Sequence, residues 1–174
     1  MIAEVAAGDR TCDLGPLNFL PKPIREPRNA PVSTVTAWAT SFFPSIALSF
    51  LLAQVFPDAA HPDFGDLSPA MLMFAVVVFA PVLETLIMGT VLLILLRFVG
   101  PVAAILISAI GWGAAHSWQV PIWGLTIWWP FLVLSTLFVT WRQRSLWLAF
   151  LLPMIAHGMQ NFPTGLLIAT GQAG

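Results

Sequence analysis

Charged residues are sparse in this chain, and the gaps between them mark out apolar stretches of membrane length. No residue from Asn29 to Pro57 is charged, and Thr34 to Phe56 reads as a first span. Leu67 to Leu96 is interrupted only by Glu84, which predicts a second span from Pro69 to Leu96. Between Arg97 and Arg142 lie 44 uncharged residues, too many for one crossing at about 20 residues per span. The Ser117-Trp118-Gln119-Val120-Pro121 segment supplies the break, giving a third span over 101–117 and a fourth over 122–141. From Ser145 the chain is apolar again, predicting a fifth span to about Asn161, bent or ended at Pro163-Thr164-Gly165.

The pattern therefore predicts an all-α fold, a polytopic transmembrane helix bundle of about five spans. Residues 1–33 form a Pro-rich cytoplasmic tail and residues 34–174 the transmembrane domain. Composition agrees: 58% of residues are hydrophobic and 9% charged, against about a quarter charged in soluble domains. Lys and Arg fall in the tail, in the 97–100 loop and in the 142–144 loop, and are absent from 57–68 and 117–121. The positive-inside rule then makes the N-terminus cytoplasmic and the C-terminus external. Trp118, Trp123, Trp128 and Trp129 cluster near the outer ends of the third and fourth spans, as an interfacial belt would.

The tail holds Arg10, Lys22, Arg25 and Arg28 with Pro16, Pro21, Pro23 and Pro27. It has no apolar run of signal-peptide length. The proline spacing predicts an extended or disordered segment on the membrane surface rather than a docked element. Cys12 alone supports neither an intrachain disulfide nor a thiolate cluster. Asp58, His61, Asp63 and Asp66 lack ligand spacing and read as a solvated acidic loop. A net charge of −1 gives no footprint for nucleic acid.

Candidate chemistry lies inside the spans. A carboxylate at mid-bilayer costs about 2.5–3.5 kcal/mol on insertion scales, so Glu84 is expected to face inward and to serve a purpose. Counting from the basic loops, Glu84 lies 13 residues before Arg97, His157 lies 13 after Arg144, and His116 lies 15 after Pro101. At ~1.5 Å per residue, the three share one level about 20–22 Å from the inner boundary. Residues four apart share a helix face, which pairs Trp112 with His116 and His157 with Asn161. Pro81 frees the carbonyl of Val77 and Pro153 that of Ala149, breaks tolerated where backbone lines a cavity. Gly111, Gly113, Ala114 and Ala115 permit close helix approach beside His116. A lone membrane His or Asn serves equally as interhelical glue. Convergence of three helices at one depth favours an intramembrane active site.

Three motifs in order resemble the CPBP family of CAAX prenyl proteases and bacterial, Abi-type relatives, whose signatures are EExxxR, FxxxH and HxxxN. Here they read Glu84-Thr85-x-x-x-Gly89, Trp112-x-x-x-His116 and His157-x-x-x-Asn161, with Pro81 supporting this register. Thr85 and Gly89 replace the second Glu and the Arg. In the alternative register Glu84 is the second Glu, which leaves no base. The resemblance implies an intramembrane glutamate-type endopeptidase in a bacterial inner membrane, acting on a peptide or membrane-protein substrate. Glu84 and His116 would activate water, and His157 and Asn161 would donate to the oxyanion. It implies no cofactor, with zinc at Glu84, His116 and His157 as the alternative. A site in the outer half argues against a cytoplasmic CAAX substrate. Thr85 and Gly89 keep open a catalytically silent relative acting as an immunity factor or scaffold. Membrane Glu and His also serve proton relays, which leaves a small transporter as a third class.

Overall fold

The computed structural model describes residues 13–58 and 67–171, and every described element is helical. After a 3-10 turn at Gly15–Phe19 come α1 (Lys22–Arg25), α2 (Ala30–Val55) and α3 (Pro69–Phe74). A π-helical turn, Ala75–Phe79, joins α3 to α4 (Ala80–Leu95) in one continuous element. Then follow α5 (Pro101–Gln119), α6 (Gly124–Trp141) and α7 (Leu146–Ala169). Asn29, Ser68 and Ser145 cap α2, α3 and α7 through their side chains, each accepting from a backbone N–H three residues on.

Ala30–Val55, Pro69–Leu95 and Gly124–Trp141 are long and apolar enough to cross a membrane. The helices α5 and α7 are of similar length. His116, Ser117 and Gln119 lower the hydropathy of the first, and His157, Gln160 and Asn161 that of the second. The five expected spans thus correspond to five long elements, three of which meet the criterion by composition alone. One boundary differs clearly. Pro163 neither ends nor interrupts α7, which continues to Ala169. A proline removes one backbone bond and strains one turn, and a helix held by packing tolerates that.

The core is centred on α6. From Pro130 to Trp141 every residue is buried, and α2, α5 and α7 all pack around it. Gly124 meets Gly113 across the α5–α6 seam so closely that a Cβ on Gly124 would overlap the Gly113 carbonyl oxygen and Ser117 Oγ. Small residues bring two backbones together here, the usual device of membrane helix packing.

The N-terminal segment departs from the expected surface tail. Leu14, Leu17, Leu20 and Ile24 are buried in the same core as α6. Thr140 Oγ1 donates to the Ile24 carbonyl at 2.7 Å and Ser33 Oγ to that of Pro23 at 2.6 Å. Arg144 donates to the carbonyls of Pro27 and Arg28. The prolines do not prevent folding: Pro16 and Pro23 sit in the first turns of short helices, where a missing N–H costs nothing. Cys12, Arg10, His61, Asp63 and Asp66 lie outside the described residues.

Candidate active site

Glu84 stands one turn into α4, three residues after Pro81. Its Oε2 lies 3.7 Å from His157 Nε2 on α7, with the two side chains 23% and 7% exposed. That distance is a charge-range contact slightly too long for a hydrogen bond. The imidazole in direct contact with Glu84 is thus His157. His116, expected to share a water with the carboxylate, makes no ion-pair contact with it among the described residues.

His116 faces the same region from α5 and is fixed by its own helix. Its Nδ1 lies 2.9 Å from the Trp112 carbonyl oxygen. A carbonyl only accepts, so Nδ1 carries a proton, and in the neutral ring Nε2 is the nitrogen with the lone pair. Aromatic rings surround it, with Trp123 edge-on at 5.0 Å between centroids and Phe131 tilted at 5.9 Å. Phe131 also meets His157 edge-on at 5.4 Å and stacks on Trp112 at 4.4 Å. One buried phenyl ring is thus in contact with both histidines.

Sequence reasoning missed Phe131 and Trp123. The first lies in an unbroken apolar run, and the second was absorbed into the expected aromatic belt. Of that belt, Trp118 is 93% exposed, while Trp129 turns inward and donates from Nε1 to the Thr40 carbonyl of α2 at 2.8 Å.

Asn161 has a partner that competes with an oxyanion role. Its Nδ2 donates to the carbonyl oxygen of Val76 at 3.0 Å. The π-turn explains why that carbonyl is free. Ala80 N–H donates to Ala75 five residues back, so the next donor in register would be Pro81, which has none. The liberated acceptor satisfied by Asn161 is thus Val76 rather than the expected Val77.

The altered first motif also has a physical setting. Thr85 is buried and its Oγ1 has no hydrogen-bond partner. At Gly89 a Cβ would collide with the rings of Phe150 and Phe138, which pack edge to face at 5.0 Å. An arginine cannot occupy position 89 unless these rings move.

No group of three or more His, Cys, Asp or Glu among the described residues could hold a metal. Glu84 and His157 meet, and Phe131 touches both His157 and His116. A groove of about 660 Å³ lies elsewhere, between the C-terminal end of α2 and the α5–α6 turn. It is lined by residues such as Phe56, Asp58 and Pro121, and includes none of the candidate site residues.

A family model described as type II CAAX prenyl endopeptidase Rce1-like matches residues 66–163, more than half of the chain and all four candidate residues. No curated protein and no solved structure matches.

Proposed function

Since the chain belongs to the Rce1-like family of type II CAAX prenyl endopeptidases, we propose that it hydrolyses a peptide bond within the membrane with Glu84 as general base. The supporting observation is the meeting of Glu84 and His157 from two helices, with His116 against the same Phe131 ring that His157 touches.

In this reading Glu84 takes a proton from water held between it and the His116 lone pair. The water oxygen attacks the peptide carbonyl, whose π electrons move onto oxygen. The Nε2–H of His157 donates to that oxyanion as it forms, in surroundings where a placed donor is worth more than in water. Glu84 then returns its proton to the leaving nitrogen as the C–N bond breaks. Asn161, its amide engaged by Val76, takes no part in bond making. The basic residues of the N-terminal segment and of the loops after α4 and α6 support a cytoplasmic side at that end by the positive-inside rule.

A second reading, a catalytically silent relative acting as an immunity factor or scaffold, is favoured by the aromatic fill at Gly89 and the unpartnered Thr85. Wild type and Glu84→Gln, each reconstituted with a library of membrane-inserted peptides, separate the two. Cleavage by the wild type alone supports the hydrolase. Equal cleavage by both removes Glu84 as base, and cleavage by neither selects the silent relative.

A further inference from the structure

We infer that Asn161 is a positioning residue that locks the π-turn of the second span and so sets the direction in which Glu84 points. The inference rests on the reading of Glu84 as the base. A π-turn carries one residue more than the α-helix it interrupts, so the two sides are offset by about 100° relative to an uninterrupted helix. It persists only if its unpaired carbonyls find donors, since an unsatisfied backbone group inside a membrane is costly.

Asn161 supplies that donor through the 3.0 Å bond to Val76. The same face of α7 carries Gly158 and Gly165, spaced three and four residues from Asn161. A Cβ on Gly158 would sit 2.9 Å from the Val77 oxygen, and one on Gly165 would sit 3.3 Å from Met73 Sδ and from Val77 Cγ2. These two glycines let the α3 end of the span lie flush on α7, and Asn161 fixes its register there. On the far side of the turn, Glu84 meets His157, one helical turn before Asn161 on the same helix. If the turn relaxed to α-helix while α3 stayed docked, Glu84 would swing by about 100° away from His157. The two-residue His157–Asn161 unit thus holds both the carboxylate and the turn that aims it.

Pro81 provides the test. Pro81→Ala restores an N–H in register with Val76, which makes the Asn161 amide redundant as a donor. In a double-mutant cycle on the full-length protein in lipid nanodiscs, two quantities are read. One is kcat per folded enzyme, and the other is the rate at which a hydrophobic carbodiimide modifies Glu84. Asn161→Ala is expected to lower kcat about tenfold with KM changed less than about twofold, and to alter the modification rate. In the Pro81→Ala background both effects should shrink to about twofold or less. Equal cost in the two backgrounds overturns the inference and returns Asn161 to direct contact with substrate.

If the wild type cleaves nothing, the hydrolase reading fails. The modification rates then decide this inference alone, by the same comparison. Should Asn161→Ala not fold, recovery of folded protein in the Pro81→Ala background supports the inference, and continued failure there overturns it.

Discussion

Adding one methyl group at Gly124 tests the seam that carries His116. Gly124 opens α6, and its Cβ would lie against the carbonyl oxygen of Gly113 and Ser117 Oγ, and 2.9 Å from the Gly113 carbonyl carbon. The obstacle is mostly backbone and cannot turn aside, so relief requires α5 and α6 to part. Overpacking of this kind costs about 1–3 kcal/mol, and a backbone obstacle puts Gly124→Ala at the upper end. The helix-propensity gain is small at the first residue of a helix. A net loss of about 2–3 kcal/mol corresponds to a Tm lowered by about 4–12 °C for a chain of this size. His116 and Trp123 sit on opposite sides of this seam. A shift of about 1 Å there would also cost about 10²-fold in rate. Gly111→Ala is the control, because its Cβ meets nothing within 4 Å. It should leave the Tm unchanged or raise it, by up to about 1 kcal/mol of propensity. Gly113→Ala, with contacts of 3.1 Å to Gly124 O and to Trp128 Cβ, should fall between the two. Tryptophan fluorescence during heating in detergent micelles reads all three. A Gly124→Ala variant as stable as the wild type, or a Gly111→Ala variant equally damaged, would refute the close approach of α5 and α6.

Two further predictions concern the N-terminal segment. Ile24 is fully buried beside α6, so Ile24→Ala should destabilise by about 2–4 kcal/mol. A thermal midpoint equal to wild type would show the segment to be undocked. Asp13 accepts from Gly15 N–H at 2.9 Å and Asn18 Nδ2 at 2.7 Å, which holds its carboxyl below the usual carboxylate range. A lowered pKa stabilises the turn above about pH 4 and loses that contribution as pH falls further. Protection of the Gly15–Phe19 amides, measured against their intrinsic exchange rates at each pH, should therefore fall in acid, and Asp13→Asn should abolish that pH dependence.

Much of the bundle was legible because a bilayer imposes few choices. The gaps between Arg97, Arg142 and the first basic cluster outlined the long helices to within a few residues, apart from the C-terminal end of α7. Counting from Arg97, Pro101 and Arg144 placed Glu84, His116 and His157 at one depth, and the structure brings Glu84 and His157 into contact. Depth counting fixes height but not azimuth. Which histidine meets Glu84 depends on helix rotation, and the π-turn before Pro81 alters that rotation by an amount invisible in composition. Prolines misled in two places for one reason. At Pro163 and along the tail they were read as helix breakers, yet a proline costs little in a first turn or where packing holds the helix. Leu14, Leu17, Leu20 and Ile24 carry the helical spacing that the prolines obscured.

The central claim is that Glu84 and His157 act as one unit in peptide hydrolysis. It is tested most directly by a double-mutant cycle of Glu84→Gln and His157→Ala in the reconstituted cleavage assay. Groups that act together are strongly non-additive. Each single change should cost about 10²–10⁴-fold in kcat, and the double variant should lose no more than the worse single one. Multiplying losses would show the two residues working independently and would contradict the pairing from which the mechanism is built.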